Sequence, residues 1–224
     1  MLSFSVNKVV RETQHGSLVR TGTDPDGNCF FHAYLYSTEA STFKDLSYSL
    51  RLKRVIEIKN HFSNSITVDD VLDLVDVVSF EAILGLIERH LKGYTLPDLS
   101  KQPLLSLRAY LLLIYGYHPK LSHEESFQYM IHLIQGEYHK KVQEYVRRNG
   151  AWMFDSYIIL FMNKLKINII MYSHTTNKPI THYPRYEGIH TILMYHLTDH
   201  FESMGWYVNN TMTRVFSENE LPNL

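Results

Sequence analysis

The stretch that decides the fold is Thr23-Asp24-Pro25-Asp26-Gly27-Asn28-Cys29-Phe30-Phe31-His32-Ala33. A Pro-Asp-Gly-Asn turn cannot continue a strand. Its glycine and asparagine accept positive φ, so the backbone can fold tightly and aim several N–H groups at one space. The apolar run that follows predicts a helix over residues 30–40. We therefore expect Cys29 at a helix N-terminus, where free N–H groups and the helix dipole stabilise a thiolate and lower the pKa of the thiol.

Composition and charge narrow the classes of function. The chain has 224 residues, of which 45% are hydrophobic and 13% aromatic, enough for one sizeable core and a single domain over residues 1–224. Its 22 basic and 23 acidic residues leave a formal net charge of -1, which attracts neither nucleic acid nor an anionic membrane. The longest apolar run, around residues 111–115, is too short to span a bilayer. We therefore expect no nucleic-acid partner and no membrane partner.

Cysteine usage indicates the cell compartment. One cysteine excludes an intrachain disulfide and any multi-cysteine zinc site, and no signal-peptide pattern opens the sequence. A reducing cytoplasmic or nuclear setting fits, or the host cytosol for a viral or bacterial effector. His196 and His200 have the spacing of metal ligands on a helix, but their segment has the pattern of strand and turn. We expect no metal and no cofactor.

The chain has an extended entry, a helical middle and a β-rich end. Loose alternation predicts extended segments over residues 2–10 and 18–21. Apolar spacing and capping signals predict helices over residues 46–62, 67–75, 79–93, 97–115, 122–148 and 155–165. Apolar and alternating runs predict strands over residues 166–172, 189–197 and 200–208. The predicted fold class is α/β, of the α+β type.

A reactive Cys29 needs a base, because a free thiol is only a few per cent ionised near neutral pH. Among 13 histidines we favour His200, because a period of two places Glu202 on the same face of its strand. Strand residues two apart lie roughly 6.5 to 7 Å from each other, close enough for Glu202 to hold Nδ1 of His200 while Nε2 faces the thiol. The sequence thus predicts a Cys29, His200 and Glu202 constellation.

Three blocks of the chain resemble the ovarian-tumour (OTU) family of cysteine proteases and occur in family order. They are Asp26-Gly27-Asn28-Cys29-Phe30-Phe31-His32-Ala33, then Asn149-Gly150-Ala151-Trp152 with the helix and strand after it, and Ile192-Leu193-Met194-Tyr195 followed by His200-Phe201-Glu202-Ser203. The resemblance covers a core of about residues 18–208. It implies a papain-like cysteine protease fold, with a small central β-sheet flanked by helices and a helical insertion over about residues 65–122.

The same resemblance implies a function and roles for the residues. It implies hydrolysis of isopeptide bonds to ubiquitin or a ubiquitin-like modifier, with ubiquitin or polyubiquitin chains as partners. Cys29 would be the nucleophile and His200 the base. Asp26 stands at a position that the family uses in catalysis, although capping of the loop explains it equally well. Backbone N–H groups of Asp26, Gly27 and Cys29 are candidates for the oxyanion hole, and Asn28 fits loop structure better.

One departure from the family keeps alternatives open. Glu202 stands where relatives usually have Asp or Asn, and its longer side chain can tilt the imidazole of His200 or leave orientation to another group. A catalytically weak module that binds ubiquitin without cutting it is therefore a second interpretation. A structural protein with a buried, inert Cys29 is a third.

Overall fold

The computed structural model describes residues 7–70, 139–180 and 183–220. The chain divides into two compact units, one formed by Met1–Phe62 with Arg147–Leu224 and the other by Ser63–Val146. The second unit contains the range predicted as a helical insertion, but residues 71–122 of that range lie outside the described residues. The helices predicted over residues 79–93 and 97–115 lie there too. Within the described ranges no helix is long and apolar enough to cross a membrane.

The described elements are numbered here in chain order. The helices are α1 (Cys29–Lys44), α2 (Tyr48–Ser65), α3 (His139–Arg147) and α4 (Asp155–Leu165), with a 3₁₀ turn at Glu218–Glu220. The strands are β1 (Lys8–Thr13), β2 (Gly16–Thr21), β3 (Asn168–Ser173), β4 (Thr191–Leu197), β5 (His200–Val208), β6 (Thr211–Thr213) and β7 (Val215–Phe216).

All seven described strands form one sheet in the first unit. Its main path is β1-β2-β5-β4-β3, with β6 paired to β5 and β7 paired to β4. The pairs are antiparallel except for β3 and β4, which run parallel. Strand β5 is therefore an interior strand, between β2 and β4. Its first residue lies at the end of the strand, beyond the residues that pair with β2.

The two faces of β5 contribute to different packing layers. Phe201 packs edge-on against Phe30 of α1, with ring centroids 5.5 Å apart, and the hydroxyl of Ser203 lies 2.8 Å from that of Ser37. Met204 points to the opposite face of the sheet and belongs to an apolar cluster there. The other buried members of this cluster are Leu18, Ile170, Tyr172, Leu193, Tyr195 and Phe216. Because α1 lies on β5, the first residue of the helix is brought beside the start of the strand.

Most element predictions within the described residues are confirmed, and the α+β class with them. Helix α4 and strand β5 have the predicted ends, and α1 begins one residue before the predicted helix. The capping signal at the start of the helix predicted over residues 67–75 is also confirmed, since Thr67 Oγ1 lies 3.3 Å from Asp70 N and Asp70 Oδ2 accepts from Thr67 N at 2.6 Å. The short strands β6 and β7 were not predicted, because two or three residues carry too little periodicity.

Candidate active site

Cys29 is the first residue of α1 and is 3% exposed. The turn before it contains Gly27 at φ 76°, as the sequence predicted for a tight loop. The carbonyl of Asn28 already accepts the first helical hydrogen bond, from His32 N at 3.1 Å. The Cys29 sulfur also receives a backbone hydrogen bond from Phe201, the residue directly after His200. The fold thus brings Cys29 to the start of β5.

The prediction of a lowered thiol pKa is wrong for the isolated protein. Burial raises the pKa of Cys29, and the negative charge of Asp26 raises it further. Backbone hydrogen bonds from Phe201 and Phe30 favour the thiolate but do not offset the loss of water around the sulfur. The position of Cys29 at a helix N-terminus is therefore not enough to predict the pKa of the thiol, because the burial of the sulfur depends on tertiary packing.

Gly27 and Gly150 approach each other where the Cys29 loop meets the Asn149-Gly150 turn. A Cβ on Gly27 would lie 2.8 Å from the Cα of Gly150, closer than a backbone carbon tolerates. A Cβ on Gly188, at the similar φ of 68°, would meet nothing within 4 Å. A comparison of Gly27 with Gly188 therefore separates the effect of the contact with Gly150 from the effect of positive φ.

We predict that Gly27→Ala lowers the free energy of unfolding by more than Gly188→Ala does. Positive φ in a residue with a Cβ costs about 1 kcal/mol, and only Gly27→Ala adds a backbone clash. Urea unfolding of both variants measures the difference. Equal midpoints for the two would mean that the contact between Gly27 and Gly150 has no energetic role.

The carboxylate of Asp26 accepts hydrogen bonds from three neighbouring groups. They are Asn28 N at 2.9 Å, the His32 ring at 3.0 Å and Tyr48 Oη at 3.1 Å. Burial alone would raise the pKa of Asp26, but these partners, His32 above all, lower it to about 2. Asp26 therefore stays ionised and holds the loop, the capping role that the sequence left open.

Asn28 also serves the structure of the loop, and Lys59 is its buried partner. Asn28 Oδ1 accepts from Lys59 Nζ at 2.9 Å and from Gly150 N at 3.2 Å, while its Nδ2 donates to Asn149 Oδ1 at 2.7 Å. Lys59 Nζ donates in addition to the carbonyl of Arg148 at 2.6 Å. Because Lys59 is 2% exposed, burial lowers its pKa to about 8, although the charge of Asp26 opposes this.

A second cation of α2 holds the other end of the loop. Arg51 pairs with both oxygens of Asp24 at 2.8 and 3.0 Å. Sequence reasoning missed Arg51 and Lys59, yet a signal was present. They stand four residues before and four after Val55, on the stripe that α2 buries. A cation on an apolar stripe indicates a buried acidic or carbonyl partner.

His200 is half-buried at the start of β5, and its Nε2 lies 3.1 Å from the hydroxyl of Thr23. Burial lowers the pKa of His200, while the charges of Glu202 and Asp199 raise it. Thr23 lies six residues before Cys29, so one short segment contains Cys29 and also contacts His200. Sequence reasoning missed Thr23, because nothing local distinguishes it from other loop threonines.

Glu202 lies on the predicted face of β5 but has a different partner. Its Oε2 accepts from Arg20 Nη1 at 3.0 Å, and the Arg20 guanidinium lies 4.8 Å from the ring centroid of Tyr195. In the described part of the chain no hydrogen bond joins Glu202 to His200. The geometry in which Glu202 holds Nδ1 and Nε2 faces the thiol is therefore not the one observed. The influence of Glu202 on His200 is electrostatic.

The chain was compared with known proteins by sequence and by structure. No protein-family model and no curated protein matches the chain. Among solved structures, the deubiquitinase Ceg23 of Legionella pneumophila is 12% identical at a TM-score of 0.50, over 90% of this chain and 82% of that one. An OTU domain solved in complex with ubiquitin is 14% identical at a TM-score of 0.49, over 96% of this chain and 83% of that one. The OTU domain of OTUD1 is 14% identical at a TM-score of 0.42, over 84% and 85%.

The fold of the chain is that of the OTU domains, as the three sequence blocks indicated. At identities of 12–14% this similarity concerns the fold.

Proposed function

We propose that this protein is a deubiquitinating cysteine protease that hydrolyses isopeptide bonds at the C-terminus of ubiquitin or a ubiquitin-like modifier. The observation that carries the proposal is the position of Cys29. It begins α1 beside the start of β5, where His200 stands, and the surrounding fold is of the OTU type. The sequence blocks that resemble the family supply the same two residues independently of the packing.

The reaction follows from these two side chains. His200 takes the proton of Cys29, and the sulfur attacks the carbonyl carbon of the C-terminal glycine of the modifier. The carbon–nitrogen bond breaks as His200 returns the proton to the departing lysine amine. Water, deprotonated by His200, then attacks the thioester. The carbon–sulfur bond breaks, and the released sulfur recovers its proton from His200.

The loop supplies stabilisation for the oxyanion. The Asn28 N–H already donates to Asp26, which leaves the backbone N–H groups of Asp26, Gly27 and Cys29 as the candidates. Such donors are commonly worth about 3 kcal/mol each in the transition state. Their positions depend on the contacts of Asn28 with Lys59 and Asn149, so the buried network holds the loop ready before substrate arrives.

A ubiquitin-binding module without protease activity is the second candidate. Two observations favour it: burial raises the pKa of Cys29, and Glu202 is paired with Arg20. Both candidates predict ubiquitin as the partner. Only the protease requires that Cys29 become reactive when the modifier is bound.

A ubiquitin probe with a C-terminal electrophile separates the two candidates. We predict that the probe forms one covalent adduct with the wild-type protein, because the electrophile lies where the scissile carbonyl would be. A Cys29→Ala variant is the matched control and should give none. A gel assay on all eight diubiquitin linkages then identifies the substrate. Binding of ubiquitin with neither adduct nor cleavage would leave the binding module as the function.

A further inference from the structure

We propose that Thr23 is the residue that positions His200, and that it leaves Nδ1 of His200 as the nitrogen that deprotonates Cys29. The proposal rests on the proposed protease function for its kinetic consequences. Its structural part, the tautomer of His200, stands on geometry alone.

The hydroxyl of Thr23 has two partners and one proton. Its Oγ1 lies 2.6 Å from the carbonyl oxygen of Phe201 and 3.1 Å from Nε2 of His200. A carbonyl oxygen only accepts, so the hydroxyl proton must go to Phe201. The Thr23 oxygen then has only lone pairs to offer to His200, and Nε2 must carry the hydrogen of the neutral ring. Nδ1 is consequently the bare, basic nitrogen.

Thr23 is well placed to enforce this arrangement. It is 6% exposed, so water competes little for its hydroxyl, and the 2.6 Å bond to Phe201 fixes the rotation of that hydroxyl. Phe201 follows His200 directly in β5, and it also donates a backbone hydrogen bond to Cys29. Thr23, His200 and Cys29 are therefore all joined to the same short segment of backbone.

The acidic side chain on the same face of β5 does not compete for the ring. Glu202 is paired with Arg20 at 3.0 Å. A hydroxyl can take the place of a carboxylate here, because its oxygen accepts from Nε2–H in both the neutral ring and the imidazolium. It carries no charge, so it orients the ring without holding a proton on it.

Thr23→Val tests the proposal, because valine keeps the shape of threonine and removes the hydroxyl. We expect Thr23→Val to lower kcat tenfold to a hundredfold with KM little changed, since Thr23 acts on His200 and not on the modifier. Thr23→Ser keeps the hydroxyl and should restore most of kcat. Thr21→Val is the matched control: Thr21 is 3% exposed, and its hydroxyl donates to Asn7 at 2.7 Å, away from His200.

A second measurement does not need activity. Two-bond proton–nitrogen correlation spectra of ¹⁵N-histidine-labelled protein, above the pKa of His200, identify which ring nitrogen bears the hydrogen. We expect it on Nε2 in the wild type and in Thr23→Ser, and a mixture of tautomers in Thr23→Val. The hydrogen on Nδ1 in the wild type would overturn the proposal, whether or not Thr23→Val folds. Equal kcat for Thr23→Val and Thr21→Val would overturn it as well.

The two proposals fail in different ways. If the protein cleaves no diubiquitin, the deubiquitinase proposal fails while the tautomer of His200 still reports on Thr23. If the protein cleaves diubiquitin but His200 carries its hydrogen on Nδ1, only the role of Thr23 is lost.

Discussion

Replacement of Cys29 by alanine is expected to abolish cleavage of diubiquitin, with a loss in kcat on the order of ten-thousandfold or more. No other cysteine exists in the chain to take its place. Loss of the nucleophile removes the thioester route altogether, and the loop N–H groups have no covalent intermediate left to stabilise. A gel assay with equal amounts of wild type and variant measures the loss.

The controls for this prediction address the fold and the partner. The sulfur is buried, so its removal leaves a small cavity and should cost on the order of 1 kcal/mol in the free energy of unfolding. The loop is held by Arg51, Lys59 and Asn28, none of which bonds to the sulfur. Thermal unfolding and ubiquitin affinity should therefore stay close to wild type. Cleavage that survives in Cys29→Ala would contradict the deubiquitinase proposal directly.

Predictions from local sequence succeeded where one segment determines its own structure. Helix α4 and strand β5 have the predicted ends, because each combines a clear apolar pattern with a stop signal at its boundary. In the Cys29 loop, Gly27 has the predicted positive φ, and Asp26 takes the capping role that was one of the two alternatives left open by the sequence, because both are local devices.

Predictions failed where the environment of a residue depends on residues that are distant in sequence. The period of two correctly placed Glu202 on the face of His200 but gave no information about Arg20, which is 182 residues away in sequence and reaches Glu202 only through the pairing of β2 with β5. The prediction of a lowered thiol pKa failed for the same reason, because the burial of the sulfur is a property of tertiary packing. The chemistry of the site therefore depends on strand order, which no single segment encodes.

One missed feature could have been predicted. The inward stripe of α2 carries Arg51 and Lys59 among apolar residues, and a solvated helix would not place charges there. The buried partner of each cation is a polar residue of the Cys29 loop, Asp24 or Asn28. A cation on an apolar stripe was thus a sequence signal that this helix supports the site.

Replacement of His200 by alanine is expected to reduce kcat nearly as much as loss of Cys29, by a factor on the order of a thousand or more. The reason lies in the thiol, which burial holds in its neutral form and which cannot attack without a base. His190→Ala is a suitable control, because His190 is exposed in the loop before β4. Steady-state kinetics on one diubiquitin substrate compares the two. Loss of activity in His196→Ala, with His200→Ala active, would move the role of base to the ring stacked on Phe201.

The pH dependence gives the same residue a second test. Because burial lowers the pKa of His200, its ring stays neutral and basic to a lower pH than an ordinary histidine, whose pKa is about 6.5. The acid limb of kcat/KM should therefore fall below that value, and activity should be lost only as the pH drops through the lowered pKa. The negative charge of Glu202 raises the pKa of His200, so Glu202→Gln should move the limb to still lower pH while leaving kcat on the plateau close to wild type. A limb that moves upward in Glu202→Gln would contradict the electrostatic role of Glu202. A loss of kcat on the plateau in Glu202→Gln would mean that Glu202 contacts the ring during turnover, and that its pairing with Arg20 is broken when the modifier binds.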